Sequence, residues 1–252
     1  MKIAVITGAS SGLGAEFAKS IDKTRAEIEE IWLIARRGDK MQKLAEELTK
    51  KTRILAIDIT DTEKLKEYIA ALREEKAEVK LLINNAGYGK LGDFDSISPE
   101  DNAGMVGLNC QALTYFTSIT LPFMRENSEI INSCSIASFA PTTRMAVYCS
   151  TKAYVMSLSR ALREELKPRK INVLAACPGP MSTEFLSVAG IEKGTSRTFD
   201  TLPRINPKTM AEKSLKASKQ KKAVYTNHGV YKLYRILAKI LPHSIVMKMS
   251  GT

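Results

Sequence analysis

Short apolar runs alternate with longer amphipathic stretches along roughly the first 180 residues of the chain. The apolar runs are mostly rich in Ile, Val and Leu, which is typical of strands buried on both faces of a sheet. These predicted strands are residues 3–6, 31–35, 54–57, 81–83, 129–131 and 171–176. The amphipathic stretches predict helices at residues 12–21, 40–49, 61–75, 109–124 and 146–166. This alternation predicts an α/β fold, in which a doubly wound parallel sheet carries helices on both faces.

The pattern also indicates how the domain is organised. No linker, repeat or change of composition occurs before about residue 180, whereas residues 181–207 are irregular and interrupted by Gly and Pro. A connection of that length without periodicity is typical of a lid or substrate loop. We therefore predict one domain over residues 1–228, which includes a substrate loop at 181–207. A basic amphipathic C-terminal extension follows at residues 229–252.

Length and cysteine usage narrow the class of protein. A single domain of 252 residues buries most of its unfolded surface without needing covalent cross-links. The spacing of the four cysteines matches neither a metal site nor a redox pair, so we interpret them as free thiols in a reducing compartment. The first apolar run is too short for a signal peptide, and no stretch approaches the roughly 20 apolar residues of a membrane span. We expect a cytoplasmic protein without a metal site.

The net charge of +11 is concentrated at one end of the chain. Residues 204–252 contain 11 Lys and Arg and one acidic residue, which accounts for +10 of it. The rest of the chain is therefore nearly balanced, and nucleic acid is not the expected partner.

A glycine-rich turn follows the first predicted strand, in the segment TGASSGLG at residues 7–14. Gly8 permits a tight bend, Gly12 lets the backbone approach a pyrophosphate, and Gly14 allows a helix to pack closely on the sheet. The helix that follows directs its N-terminal N–H groups at the phosphates. A Rossmann-type dinucleotide site is predicted; the alternative is a plain tight turn.

Two arginines end the second predicted strand, in Ala35-Arg36-Arg37. An acidic residue at this place holds the ribose 2′-hydroxyl of NAD, whereas arginines suit the 2′-phosphate of NADP. We therefore predict NADP(H) as the cofactor; the alternative is a pair of solvated charges.

The next two predicted strands also end in polar residues that are candidates for cofactor contacts. Asp58 ends the third and is a candidate for the adenine edge, while Asn84-Asn85-Ala86-Gly87 ends the fourth. Asn85 has an alternative role, which is to satisfy the backbone of its turn.

Together these motifs resemble the short-chain dehydrogenase/reductase family over residues 1 to about 185. The matching segments are Thr7-Gly8-x-x-x-Gly12-x-Gly14, Asn84-Asn85-Ala86-Gly87, Ser135, Tyr148-x-x-x-Lys152 and Pro178-Gly179. The resemblance implies that Ser135 binds the substrate oxygen and Tyr148 transfers the proton. It further implies that Lys152 holds the nicotinamide ribose and tunes Tyr148, and that Asn109 supports a proton relay. The implied cofactor-binding residues are Gly8, Ser10, Ser11, Gly12, Leu13, Gly14, Arg36, Arg37, Asp58, Ile59, Asn85, Ala86, Gly87, Tyr148, Lys152, Pro178, Gly179 and Thr183.

Elementary chemistry agrees with the role of Tyr148. The pKa of a free tyrosine is about 10, and a general acid or base works best with a pKa near the operating pH. A nearby cation stabilises phenolate, so we expect Lys152 to lower the pKa of Tyr148. The alternative for Ser135 is an ordinary polar residue after a strand, and the alternative for Asn109 is a helix residue that hydrogen-bonds the backbone.

The last part of the chain bears on the substrate and on partners. Apolar residues in the loop 181–207 favour a hydrophobic carbonyl compound or alcohol; the alternative is that they only pack against the domain. Residues 223–225 predict an edge strand, after a basic helix at 213–222. An amphipathic helix is predicted at 230–241. We expect it to pack on the substrate loop or at a subunit interface; the second alternative is a peripheral membrane contact, and the third is binding of nucleic acid.

The sequence therefore predicts an NADP(H)-dependent oxidoreductase that interconverts a ketone or aldehyde and an alcohol. The resemblance implies a homodimer or homotetramer that acts on a small molecule. The rival interpretation is a catalytically silent protein that binds the cofactor in a regulatory or scaffold role.

Overall fold

The computed structural model describes residues 1–192, 194 and 196–249. Its strands are β1 (Lys2–Thr7), β2 (Glu30–Ile34), β3 (Lys51–Leu55), β4 (Glu78–Asn84), β5 (Glu129–Ser133), β6 (Asn172–Ala176) and β7 (Val224–Tyr225). They pair in parallel in the order β3-β2-β1-β4-β5-β6-β7. The predicted doubly wound parallel sheet is confirmed, and β7 lies at its edge as predicted.

Helices connect these strands. They are α1 (Gly12–Thr24), α2 (Gly38–Glu46), α3 (Leu65–Glu74), α4 (Pro99–Val106), α5 (Leu113–Thr120), α6 (Ala146–Glu165), α7 (Glu184–Val188), α8 (Arg197–Thr201), α9 (Pro207–Lys219), α10 (Gly229–Ile240) and α11 (His243–Met249). In the part of the chain that is described, none of them has the length and apolar character needed to cross a membrane.

The sheet is buried on both faces, since alternate side chains of each strand enter two different hydrophobic layers. Ala4 and Ile6 of β1 pack on the layer that contains Phe17 of α1 and residues of α2 and α9. Ile3 and Val5 pack on the opposite layer, which contains residues of α3, α5 and α6. Successive side chains of a strand point to opposite faces of the sheet. Because both faces are covered, most positions are apolar and the strands appear in the sequence as continuous apolar runs.

The predicted helix at 109–124 is longer at its N-terminal side and is not regular. α4 begins at Pro99, and a π-helical turn at Gly107–Ala112 joins it to α5 without a break. Asn109 lies within this turn and is completely buried. α4 was not predicted, because Met105 is its one buried residue and the helix therefore has no apolar stripe.

The substrate loop at 181–207 contains more structure than its sequence indicates. Two short helices, α7 and α8, lie within it. The loop contacts α10, because the phenolic O–H of Tyr231 donates a 2.6 Å hydrogen bond to the carbonyl oxygen of Pro203. Tyr231 is buried, so α10 packs on the substrate loop. This is part of the first alternative given for the helix at 230–241.

Candidate active site

The carboxyl ends of the parallel strands surround a cavity of about 1040 Å³. Its lining includes Gly8 after β1 and Asn85 after β4, two strands that are neighbours in the sheet, and such a switch point is where open α/β sheets bind ligands. The volume is at the upper end of the roughly 300–1,000 Å³ found for small-molecule sites. Most of the predicted site residues line it, namely Gly8, Ser10, Ser11, Gly12, Leu13, Arg36, Arg37, Asp58, Ile59, Asn85, Ala86, Gly87, Ser135, Tyr148, Lys152, Pro178, Gly179 and Thr183.

The glycine turn between β1 and α1 is built on backbone conformations that other residues rarely adopt. Gly8 and Gly12 have φ angles of +66° and +55°. A Cβ atom at Gly8 would lie 2.8 Å from the Cα atom of Ala86, and one at Gly14 would lie 2.2 Å from the carbonyl oxygen of Gly8. The turn therefore leaves its backbone N–H groups open to the cavity.

Replacing Gly14 by alanine is expected to lower the free energy of unfolding by about 1–3 kcal/mol, because the new methyl group overlaps the Gly8 backbone. Urea denaturation monitored by circular dichroism measures this change. Gly107→Ala is the matched control, since a Cβ atom there meets nothing within 4 Å. Equal midpoints for Gly14→Ala and the parent would contradict the proposed packing of α1 on the turn.

The ends of β1, β4 and β5 are joined by a polar network under the cavity. The Thr7 hydroxyl accepts the backbone N–H groups of Asn85 and Ala86 at 3.0 and 3.1 Å. The Asn85 side chain donates to the carbonyl oxygen of Gly8 at 3.2 Å and accepts the Ser133 hydroxyl at 3.0 Å. Asn85 thus satisfies the backbone of the turn, as its alternative role required, while it also lines the cavity.

The two arginines after β2 have different surroundings. Arg36 is largely exposed, and its Nη1 atom lies 3.9 Å from the Asp58 carboxylate. Arg37 turns toward the glycine turn, where Nη2 donates to the hydroxyls of Ser10 and Ser11 at 3.1 and 2.9 Å. Arg37 therefore lies at the end of the cavity beside the glycine turn, which we call the phosphate end after its predicted ligand. Arg36 lies beside Asp58, the residue predicted to meet the adenine.

Ser135, Tyr148 and Lys152 meet at the other end of the cavity, and all three are buried. Ser135 lies two residues after the end of β5 and makes a side-chain hydrogen bond with Tyr148. Tyr148 and Lys152 lie one turn apart on α6, and the Lys152 Nζ atom is 5.7 Å from the centre of the Tyr148 ring. The i, i+4 spacing places both side chains on the face of α6 that the cavity uses.

The pKa of Tyr148 lies above its ordinary value in the protein alone, which corrects our expectation that Lys152 lowers it. Burial is the main cause of the increase, and the hydrogen bond from Ser135 opposes it. Burial also lowers the pKa of Lys152, whose Nζ atom donates at 2.8 Å to the carbonyl oxygen of Ser133. The ammonium group is thus hydrogen-bonded to the backbone of β5 and lies near the tyrosine ring.

Gly14 and Asn109 are the predicted site residues that do not line the cavity. The Asn109 side chain accepts the backbone N–H of Tyr88 at 3.1 Å, and donates to the Tyr88 carbonyl at 2.8 Å and to the Thr151 hydroxyl at 3.0 Å. Asn109 therefore ties the π-helical turn to α6 at the residue before Lys152.

Apolar side chains from three segments complete the cavity beside Tyr148. The ring of Phe185, an apolar residue of the loop 181–207 that lies in α7, is 5.5 Å from that of Tyr148. Gly179 makes room for Tyr231, because a Cβ atom there would lie 2.2 Å from the tyrosine ring. The other apolar residues at this end are Met145, Leu186, Val188, Phe199, Leu202, Val230, Leu233, Tyr234 and Leu237.

Comparison with known proteins identifies this arrangement. A family model described as short chain dehydrogenase matches residues 2–193. The chain belongs to the short-chain dehydrogenase family. Its assignment from sequence is thereby confirmed, together with the class of oxidoreductases.

Three relatives of this short-chain dehydrogenase are informative. The NADP-dependent 3-hydroxy acid dehydrogenase of Schizosaccharomyces pombe is 31% identical over 220 residues, which are 84% of each chain. A short-chain dehydrogenase from Sphingobium yanoikuyae, solved in complex with NADPH, has a TM-score of 0.79 and 28% identity, covering 95% of this chain and 94% of the other. A 3-ketoacyl-(acyl-carrier-protein) reductase from Brucella melitensis, complexed with NADH, has a TM-score of 0.77 and 26% identity, covering 89% and 96%.

Proposed function

We propose that this short-chain dehydrogenase uses NADP(H) to interconvert a hydrophobic ketone or aldehyde and the corresponding alcohol. The proposal rests above all on one observation: Ser135, Tyr148 and Lys152 meet in the cavity whose far end carries the glycine turn and Arg37. Relatives whose names specify NADP or NADPH support it, whereas the reductase complexed with NADH does not decide between the two dinucleotides.

The glycine turn fits a dinucleotide. The positive φ angles of Gly8 and Gly12 leave a surface without side chains at the N-terminus of α1, where a pyrophosphate can approach the backbone. Thr183 lies over this surface, since its Cβ atom would be 3.3 Å from a Cβ atom at Gly12. A bound cofactor would supply the hydride chemistry, which no side chain in the cavity provides.

The preference for NADP(H) follows from charge at the phosphate end. Arg37 presents a guanidinium beside the hydroxyls of Ser10 and Ser11, and Arg36 lies at the same strand end. Ala35 stands where an acidic residue would hold a 2′-hydroxyl and repel a 2′-phosphate. Guanidinium groups bind phosphate through planar, charge-assisted hydrogen bonds, so this end favours the phosphorylated dinucleotide.

The protein's own residues would handle the proton and the substrate oxygen. Tyr148 is protonated at neutral pH and would donate its proton to a carbonyl oxygen during reduction. Ser135, which is hydrogen-bonded to Tyr148, would place that oxygen beside the phenol. The buried ammonium of Lys152 favours any negative charge that develops nearby, and the exclusion of water strengthens the effect.

The substrate would be apolar on the side that meets the cavity. Phe185, Met145 and Phe199 pack in one cluster with Tyr148, and Val230 and Leu233 of α10 line the same cavity. These side chains offer no charge to a polar group. Pockets of this kind bind hydrophobic ligands and use a few polar groups for orientation. A fatty, steroid or aromatic carbonyl compound suits this lining.

The direct test is the consumption of NADPH and of NADH by the purified protein across a panel of ketones and aldehydes. We expect turnover with apolar carbonyl compounds and a higher kcat/KM with NADPH. Binding of NADPH without turnover of any panel member would instead favour the silent, regulatory role.

The raised pKa of Tyr148 predicts a pH dependence that differs between the two directions. Because the phenol is protonated well above neutral pH, kcat/KM for reduction is expected to stay level from about pH 6 to 9. Oxidation requires phenolate, so its kcat/KM is expected to rise by about tenfold per pH unit over the same range. Steady-state rates in both directions check this. A reduction rate that falls through neutral pH would contradict it.

A further inference from the structure

The carboxylate of Glu184, at the start of α7, binds the phosphate end of the cavity. Its Oε2 atom accepts a 2.8 Å hydrogen bond from Arg37, and its Oε1 atom lies 2.5 Å from the Nζ atom of Lys40. It also forms a side-chain hydrogen bond with Ser11. Glu184 is separated from these residues by more than 140 positions in the chain, so the contact joins the substrate loop to the β2–α2 connection and the glycine turn.

The groups around Glu184 form an anion site. Two cations and a hydroxyl converge on one carboxylate, which is the donor set that also binds a phosphate. Lys40 and Arg37 lower the pKa of Glu184 to about 2, so the carboxylate stays ionised at neutral pH. Arg37 is the residue proposed above to hold the 2′-phosphate, and Lys40 brings a second cation to the same place.

The residues on either side of Glu184 extend along the cavity. Thr183 lies over Gly12 of the glycine turn, and Phe185 packs on the ring of Tyr148. At the end of α7, the carbonyl oxygen of Ala189 accepts the backbone N–H of Leu91 at 2.9 Å. α7 therefore spans the distance between the phosphate end and Tyr148, and Glu184 fastens it at the phosphate end.

We propose that Glu184 is an internal anion that competes with the 2′-phosphate of NADP(H) for Arg37 and Lys40. Binding of the phosphorylated dinucleotide displaces the carboxylate and releases the start of α7, whereas NADH leaves the contact in place. Glu184 and Lys40 thereby determine cofactor specificity, and Glu184 connects the cofactor to the loop that carries Phe185. The proposal rests on the proposed function, since it requires that the chain bind nicotinamide dinucleotides.

Binding measurements test the competition without any turnover. Dissociation constants for NADPH and NADH are measured by isothermal titration calorimetry on the parent, Glu184→Gln and Lys40→Gln. Glu184→Gln removes the competing charge at an exposed position and is expected to tighten NADPH by about fivefold. Lys40→Gln is expected to weaken NADPH by about fivefold, because a phosphate carries more charge than the carboxylate that it displaces. Binding of NADH should change less than about twofold in both variants.

Glu126→Gln and Lys170→Gln are the matched controls. These two residues form an exposed ion pair at 2.8 Å, and neither lines the cavity. Both variants should bind NADPH and NADH as the parent does.

Hydrogen exchange measured by mass spectrometry reports the release of α7 directly. Adenosine 2′,5′-bisphosphate, which carries the 2′-phosphate but no nicotinamide, is expected to make the amides of residues 184–191 exchange at least about twofold faster. Adenosine 5′-monophosphate lacks the 2′-phosphate and should leave them unchanged. Slower or unchanged exchange with the bisphosphate, at saturating concentration, would overturn the displacement.

The outcomes separate this proposal from the proposed function. If the parent binds both dinucleotides and Glu184→Gln leaves their ratio of dissociation constants unchanged, the competition is refuted while the proposed function stands. If the parent binds neither dinucleotide, the proposed function is refuted and the competition falls with it.

Discussion

Replacing Tyr148 by phenylalanine is expected to lower kcat/KM for carbonyl reduction by about 10²–10⁴-fold, which is the range that a positioned general acid contributes. The substitution removes the phenolic oxygen and keeps the ring, so the contact with Phe185 remains. The hydrogen bond with Ser135 is lost. The dissociation constant of NADPH should stay within about threefold, because the glycine turn and Arg37 lie at the other end of the cavity. Steady-state kinetics and calorimetric titration measure the two quantities.

Tyr154→Phe provides a control on the same helix. Tyr154 lies partly exposed on α6, and its hydroxyl pairs with that of Thr114 at 2.7 Å, away from the cavity lining. Removal of the Tyr154 hydroxyl should leave kcat/KM unchanged. If Tyr148→Phe retained the activity of Tyr154→Phe, then Tyr148 would not be the proton donor.

Replacing Lys152 by methionine is expected to lower kcat/KM by about 10–10³-fold, because the buried cation beside the Tyr148 ring would no longer oppose the burial that disfavours phenolate as it forms. Methionine fills a similar volume, and the Lys152 side chain is buried. The loss should be larger for alcohol oxidation, which starts from phenolate, than for carbonyl reduction. Kinetics in both directions measure the difference.

The same substitution is expected not to destabilise the fold. Burial lowers the pKa of Lys152, so its charged form costs folding free energy at every pH below that lowered pKa. The cost disappears as the pH rises through the lowered pKa toward the unfolded value of about 10.4. At neutral pH, methionine removes it and sacrifices the hydrogen bond to Ser133. The melting temperature should therefore equal or exceed that of the parent.

Lys167→Met, at an exposed position, is the control for Lys152→Met. It should change neither activity nor melting temperature measurably. A Lys152→Met protein that melts well below the parent would indicate that Lys152 is mainly structural, and its loss of activity would then carry no information about Tyr148.

The strands that are buried along their whole length were predictable. β2 and β6 are buried along their whole length, and their apolar runs locate them to within one residue at each end. β3 begins three residues before its predicted start, at Lys51. It lies at an edge of the sheet and starts with polar side chains, so the pattern of apolar residues gives no sign of them.

The start of α4 shows a different kind of error. Its signals are local and were present in the sequence: the Ser98 hydroxyl accepts the backbone N–H of Asp101, and Pro99 occupies the first turn. A search for amphipathic periodicity overlooks such a helix, whereas a search for capping residues finds it. The π-helical turn has no comparable sequence signal.

The site residues also fall into two groups, those that local sequence patterns predicted and those that only the tertiary fold brings together. The glycine turn, Ser135 and the pair Tyr148 and Lys152 depend on short spacings next to strands and helices, and the structure brings them to one cavity. Lys40 and Glu184 were missed because they meet only through the path of the loop 181–207, which has no periodicity. Lys40 and Glu184 come together only in the tertiary fold. In the sequence, Glu184 is simply an acidic residue that follows Thr183.

The π-helical turn at Gly107–Ala112 has a consequence for the orientation of the helices that it joins. A π turn closes its hydrogen bond over one more residue than an α turn, and each residue advances an α-helix by about 100°. The side chains of α5 are therefore rotated relative to those of α4 by an angular offset that an uninterrupted α-helix would not have. Asn109 can then aim at Thr151 while Phe116 enters the hydrophobic layer under the sheet. One continuous helix thus directs Asn109 at α6 and Phe116 into the core.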